Sequence, residues 1–178
     1  MRVIDLLLTF IMAAGVLFAQ RPDGRPASPG PEPAFPGNAA QGKIIFEGKG
    51  GCLSCHRVAS QGSRLGPNFT ELGQLARSTE DLEKSILEPD AEIQPQNRFY
   101  RVVTADGATI TGRLLNHDTF SVQLIDSKEQ LRTFQKSELR EYGFVKNSPM
   151  PSYRGKLTSG ELTDVIAYLS SLKGITKQ

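Results

Sequence analysis

The chain is organised around Cys52-Leu53-Ser54-Cys55-His56. Two cysteines separated by two residues, with a histidine directly after the second, form the attachment motif of c-type haem. Each thiol can add to one haem vinyl group, and His56 is placed to become the proximal iron ligand. The adjacency is required because one short loop must reach two vinyl carbons and the iron from one face of the porphyrin. The motif therefore predicts one covalently attached haem c.

Two other chemistries use the same pair of thiols. A thioredoxin-like motif belongs in a cytosolic βαβ unit, and a zinc site needs a second pair of ligands. The sequence contains 2 cysteines and 2 histidines, so His117 is the one further ligand of these types. A zinc site is thus short of ligands, and haem is the favoured interpretation.

Composition narrows the function classes. The 178 residues carry a formal net charge of +2, with Lys and Arg spread along the chain, so charge gives no case for nucleic acid. Asp and Glu are scattered without the spacing that paired acid–base work would need, and the chain is not expected to be an enzyme. The length suits one ordinary domain or two small ones.

The N-terminal part predicts export. Arg2 precedes an apolar block from Val3 to Phe18, and Ala19 offers a small residue for cleavage, so residues 1–19 are interpreted as a signal peptide. An uncleaved membrane anchor is the alternative. Residues 20–37 hold six of the eleven prolines and are predicted to form a disordered linker. Covalent haem attachment also takes place outside the bacterial cytoplasm, which favours a periplasmic or secreted protein.

The hydrophobic pattern predicts helices on either side of a β-rich segment. Helices are expected from Asn38 to about Gly48, from Ser78 to Glu88, and after the Thr158/Glu161 capping box. Residues 97–146 alternate with a period of two, with a hairpin turn at Asp106-Gly107. Four or five short strands of this kind can close as a small barrel or pack as a curled sheet.

Pro67 has a candidate role beside the haem motif. It follows Gly66 eleven positions after His56, and its carbonyl is free to accept a hydrogen bond. A proximal histidine needs such an acceptor on its second ring nitrogen, which fixes the tautomer and the ring plane. The alternative is an ordinary Gly-Pro turn.

Several of these features together resemble class I cytochromes c. They are the C-x-x-C-H loop after a short helix, the Gly-Pro segment, the later Met150-Pro151 pair and a C-terminal helix containing Ala167-Tyr168-Leu169. The resemblance implies a mainly α cytochrome c fold over residues 38–178, interrupted by a small all-β, barrel-like meander at residues 97–146, and α+β overall. It also implies that Gly42 and Phe46 pack against Tyr168. A bacterial family of haem-binding domains is similar in carrying a β insert before the axial methionine.

The sixth iron ligand has three candidates: Met150, His117 or none. The resemblance favours Met150, which would raise the reduction potential, whereas a second histidine would lower it. His117 lies in a turn between predicted strands, where an exposed position is the simpler interpretation. Arg154 and Lys156 are candidates to pair with a haem propionate, although solvated surface charge is favoured for both.

The function that this resemblance implies is that of an exported monohaem electron carrier with His56 and Met150 as iron ligands and thioether bonds at Cys52 and Cys55. Its partners would be redox proteins, with a periplasmic dehydrogenase or a terminal oxidase as candidates, and the membrane only if residues 1–19 are retained. Two alternatives stay open. One is a haem-based sensor or peroxidase-like protein with an open distal position, and the other is a partner-binding module in which haem is structural.

Overall fold

A computed structural model describes residues 36–75 and 77–174. These residues belong to one of the two compact units of the chain, Phe35–Gln178. The predicted signal peptide and nearly all of the predicted linker lie outside the described residues. Within them, no helix combines the length and the apolar character that crossing a bilayer requires.

The first and last helices form the centre of the helical part. Helix α1 (Ala39–Glu47) begins where the Asn38 side chain accepts hydrogen bonds from two free backbone amides, and α3 (Ser159–Ser170) begins at a capping box of Thr158 and Glu161. The Phe46 ring packs edge-on against Tyr168, with 5.4 Å between the centroids. A Cβ atom at Gly42 would lie 1.9 Å from the backbone oxygen of Asp164, so only glycine permits this approach.

A third helix completes the helical core. Helix α2 (Thr79–Leu87) is capped by the Ser78 hydroxyl and buries Leu82 and Ile86. Both side chains join the cluster that contains Phe46 and the apolar face of α3. The helix ends before Pro89, since a proline disfavours the helical conformation of the residue before it.

Two sheets account for the strands among the described residues. A small hairpin, β1 (Arg57–Val58) and β2 (Gln61–Gly62), follows the C-x-x-C-H loop. The larger sheet contains β3 (Phe99–Thr104), β4 (Thr109–His117), β5 (Ser121–Asp126), β6 (Leu131–Gln135) and β7 (Leu139–Phe144). Its order is β6-β5-β4-β3-β7, and every neighbouring pair is antiparallel.

The larger sheet is curled. Its edge strands β6 and β7 are consecutive in sequence, joined by the short helix Lys136–Glu138. Four strand spacings of a flat sheet would separate them by about 19 Å, whereas the connection reaches at most about 14 Å when fully extended. The strands must therefore bend towards each other. Register shifts in β4 and in the β3–β7 pairing add local twist.

The curled sheet has a core of its own. Tyr100, Val102, Val122 and Leu124 are buried together and share no residue with the helical cluster. Alternation along the strands explains this, because every second side chain faces the concave side of the sheet.

The expectation of a mainly α cytochrome c fold is wrong. The described residues fold as a mixed α/β protein with a five-stranded antiparallel sheet and three short α-helices. Of these residues, 27% lie in strands and 30% in helices when the small hairpin and the 3₁₀ turns are included. The physical reason is that the alternating segment buries apolar surface within itself and so forms a sheet comparable in size to the helical part.

Candidate functional site

The C-x-x-C-H loop folds as a tight turn between α1 and β1. Residues Cys52–Ser54 form a single 3₁₀ turn, and the amides of Cys55 and His56 both donate to the Cys52 carbonyl, at 3.2 and 2.8 Å. Gly51 precedes the turn with φ +60°, a conformation that glycine adopts without strain. Both cysteines are free thiols and half-buried, so the turn holds two nucleophilic sulfurs within one short loop.

His56 is buried and held in one orientation. It is 7% exposed, its Nδ1 lies 3.1 Å from the Pro67 carbonyl oxygen, and its ring stacks on Phe69 with centroids 4.1 Å apart. Burial lowers the pKa of His56, and the hydrogen bond to Pro67 opposes part of that shift. A neutral imidazole that donates from Nδ1 keeps the lone pair of Nε2, the electron pair needed to bind a metal.

The segment that carries Pro67 is fixed to the loop by backbone hydrogen bonds. The Gly66 amide donates to the Cys55 carbonyl at 2.6 Å, and the Phe69 amide donates to the Arg57 carbonyl at 2.8 Å. At Gly62, where φ is +88°, a Cβ atom would lie 2.1 Å from the His56 carbonyl oxygen. The acceptor of the imidazole proton is therefore set by the same loop that presents the thiols.

A narrow apolar cleft, here called the cleft, brings the predicted site residues together. It runs between the loop, α2 and α3, and Cys52, His56 and Met150 lie in its wall. Cys55 and Pro67 do not line it. The other lining residues are mostly apolar side chains of the helical core: Phe46, Gly50, Phe69, Leu72, Arg77, Leu82, Ser85, Ile86, Tyr153, Leu157, Val165 and Leu169.

Met150 reaches the cleft from the segment that follows β7. It is half-buried and packs against the helical core. Its backbone amide donates to the Ser148 hydroxyl at 3.1 Å. The chain thus returns from the larger sheet to the cleft lined by His56, and a thioether sulfur and an imidazole share its wall.

Tyr153 connects the methionine segment to the thiol loop. Its hydroxyl donates to the Gly50 carbonyl and lies beside the Cys52 sulfur. Burial raises the pKa of Tyr153 to about 12, with the nearby Cys52 adding to the shift. Burial likewise raises the pKa of the Cys52 thiol, and the Tyr153 contact opposes this.

Arg77 is a cleft residue that sequence reasoning missed. Its Nη2 donates to the Ser85 hydroxyl at 3.0 Å and to the Asp81 carbonyl at 3.4 Å, which holds an exposed cation at the wall of an apolar cleft. A single arginine before a helix cap carries no periodic signal in the sequence. By contrast, neither Arg154 nor Lys156 lines the cleft. Arg154 pairs with Glu88 at 2.7 Å. The Lys156 ammonium lies 5.6 Å from the Tyr153 ring centroid.

His117 lies away from the cleft. It ends β4, is exposed, and stacks on Tyr100 with centroids 5.9 Å apart. Phe144 packs edge-on against the same imidazole at 5.8 Å. Its neighbours therefore belong to the larger sheet, whereas Met150 shares a cleft with His56.

Comparison with known proteins adds no assignment. No protein-family model matches the sequence, and no curated protein matches it either.

Over residues 36–75 and 77–174, no group of three or more His, Cys, Asp or Glu side chains is placed to hold a metal ion.

Proposed function

We propose that the chain is an exported monohaem c-type electron carrier. The observation that carries the proposal is that His56 and Met150 line one apolar cleft with Cys52. Cys55 immediately precedes His56 in the same loop. Two thiols, one buried imidazole with its Nδ1 proton engaged, one thioether and apolar walls are the groups that a covalently attached haem requires. The residues present therefore fit the group.

When bound, haem supplies an iron that gains and loses one electron. The chain's own residues would set the conditions for that exchange. Cys52 and Cys55 would hold the porphyrin through thioether bonds. His56 would bind the iron through Nε2, its ring plane kept by Pro67 and Phe69.

As an iron ligand, the soft sulfur of Met150 would favour reduced iron and raise the reduction potential. The apolar walls would exclude water, which removes solvent stabilisation of the more charged oxidised state. The Arg77 guanidinium, already directed by Ser85 and Asp81, would pair with a propionate. With His56 and Met150 both bound to the iron, the site would transfer electrons and would leave no position for a substrate.

The proposal includes location and partners. The apolar N-terminal block and the attachment chemistry both favour the periplasm or secretion. The partners would be other redox proteins, with a periplasmic dehydrogenase or a terminal oxidase as candidates.

The test is an optical and mass measurement on the full chain matured in a bacterial host with the haem-attachment system. We expect the mass of the mature chain plus one haem, reversible one-electron electrochemistry, the weak far-red charge-transfer band of methionine-bound ferric haem, and slow carbon monoxide binding after reduction. The matched control replaces Cys52 and Cys55 by Ser and should lose the covalent haem. A colourless protein with the mass of the bare chain would refute the proposal. Fast carbon monoxide binding without the band would instead favour the open-site alternative.

A further inference from the structure

The methionine segment is fastened to the end of α2 on both sides of Met150. After Met150, the Ser152 hydroxyl donates to the Leu87 carbonyl at 2.6 Å and the Tyr153 amide donates to the Ile86 carbonyl at 3.2 Å. These carbonyls belong to the last turn of α2, where no helical amide follows to pair with them. The segment thereby completes the hydrogen bonding of the helix end.

Before Met150 the fastening depends on one carboxylate. Asp90 Oδ1 accepts the Ser148 amide at 2.6 Å, and Oδ2 accepts the Asn147 side-chain amide at 3.4 Å. The Ser148 hydroxyl in turn accepts the Met150 amide at 3.1 Å. Two hydrogen bonds in series therefore lead from Asp90 to the backbone of the methionine.

The same carboxylate joins the two chain segments that precede and follow the larger sheet. Asp90 and Ser148 are 58 positions apart in sequence, and all five strands of that sheet lie between them. The chain leaves the helical part just after α2 and returns beside the point of departure. This contact holds the returning chain ahead of Met150, whereas the Ser152 and Tyr153 contacts hold it after Met150.

We infer that Asp90 is a positioning residue that holds Met150 against the cleft by pinning the returning chain to the end of α2. The inference rests on the proposed function, since the ligand it positions is the sulfur proposed for the iron. Loss of this charge-assisted hydrogen bond at an exposed site would raise the fraction of molecules with a detached methionine about five- to tenfold.

The experiment compares two aspartates in the haem-loaded full chain. Asp90→Ala removes the fastening. Asp118→Ala is the matched control, because Asp118 accepts the amides of Phe120 and Ser121 at 2.7 Å each in the β4–β5 turn, away from the cleft. The readouts are the mass of the protein, the methionine charge-transfer band of the ferric form and the rate of carbon monoxide binding to the ferrous form.

We expect Asp90→Ala to keep its covalent haem, to lose part of the band and to bind carbon monoxide about five- to tenfold faster than the wild type. Asp118→Ala should match the wild type in both readouts. Ser148→Ala, which removes only the hydroxyl that accepts the Met150 amide, should change both readouts in the same direction by less. Asp90→Asn keeps an acceptor for Ser148 and should restore most of the wild-type behaviour.

The outcomes separate this inference from the proposed function. Suppose that both variants keep their covalent haem and that Asp90→Ala and Asp118→Ala have the same charge-transfer band and the same rate of carbon monoxide binding. That result would overturn the positioning role and leave the carrier proposal standing. Loss of covalent haem in Asp90→Ala would also overturn it, because the residue would then act on folding or attachment. A wild-type chain without haem would overturn the proposed function, and the positioning role with it.

Discussion

The two ring nitrogens of His56 have different neighbours, and that difference directs its chemistry. Nδ1 is engaged with the Pro67 carbonyl at 3.1 Å, so Nε2 is the nitrogen left with a lone pair. Burial lowers the pKa of His56, which favours the neutral ring over the protonated one. A neutral ring leaves the Nε2 lone pair available to a metal ion.

Met150 gives the sharpest test at the scale of one residue. Met150→Leu keeps nearly the same volume but removes the sulfur, so packing is largely preserved. We expect the reduction potential to fall by about 0.1 V or more, within the roughly 0.8 V that axial ligands span. Protein-film voltammetry measures this directly.

The reverse exchange in the same cleft is the control for Met150→Leu. Leu157 also lines the cleft, and Leu157→Met should leave the potential nearly unchanged. Equal potentials for the wild type and Met150→Leu would exclude Met150 as the ligand.

Between elements, the contact of α1 with α3 is governed by Gly42. A Cβ there would lie 1.9 Å from the Asp164 backbone oxygen and 2.9 Å from the Tyr168 Cβ, so Gly42→Ala must push the helices apart. We expect a loss of about 1–3 kcal/mol in the free energy of unfolding, measured by urea denaturation.

The control for Gly42→Ala is a glycine in α3 itself. A Cβ at Gly160 would meet no atom within 4 Å, so Gly160→Ala should be neutral or stabilise the protein by up to about 1 kcal/mol through helix propensity. Equal effects at the two positions would contradict the close approach described for α1 and α3.

The hydrogen bonds of Glu161 predict that the free energy of unfolding falls in acid. Its carboxylate accepts two hydrogen bonds from Lys49, at 2.8 and 2.9 Å, and one from the Thr158 amide at 2.8 Å. The Lys49 contact, followed by that of Thr158, lowers the pKa of Glu161 from its ordinary value of 4.5. Because the folded-state pKa is the lower one, this stabilisation is complete above about pH 4.5 and is lost as the pH falls through the folded-state pKa.

The measurement for Glu161 is urea unfolding across the acid range. Glu161→Gln should be less stable than the wild type at pH 7, and the difference should shrink towards pH 3. Glu83→Gln, on an exposed position of α2, is the control and should follow the wild type throughout. A constant difference for Glu161→Gln would show that its ionisation is not the cause.

Features that depend on neighbouring residues could be predicted from the sequence, whereas features that depend on long-range contacts could not. The predicted helix starts at Asn38 and Ser78 and the capping box of Thr158 and Glu161 are confirmed, because each depends on residues within four positions. The fold class was mistaken because no local pattern shows that the β-rich segment buries a core of its own. Arg77 and Asp90 were missed for a related reason, since their partners are defined only once the elements pack.

For the molecule as a whole, the helical and sheet cores are separate clusters. A truncation in the sheet core should therefore leave the proposed iron ligation in the helical part unchanged. Leu124→Ala, at a fully buried position in the sheet, should cost about 2–5 kcal/mol of stability. We expect its methionine charge-transfer band at 25 °C to match that of the wild type. Calorimetry and absorption spectroscopy measure the two effects.

The counterpart in the helical core is Leu169→Ala. Leu169 is buried and lines the cleft, so its truncation should reduce both stability and the band. Equal loss of the band in Leu124→Ala and Leu169→Ala would show that the two cores act as one.

The contact of Asp90 with Ser148 is one of several that join the chain segments before and after the larger sheet, and it shows how close the two ends of the sheet segment lie. A polypeptide that departs and comes back at neighbouring positions can accommodate a foreign module there without rerouting its helices. An insertion at this site needs only two junctions with the helical part. A different domain placed between the same two positions should therefore leave the helical part folded.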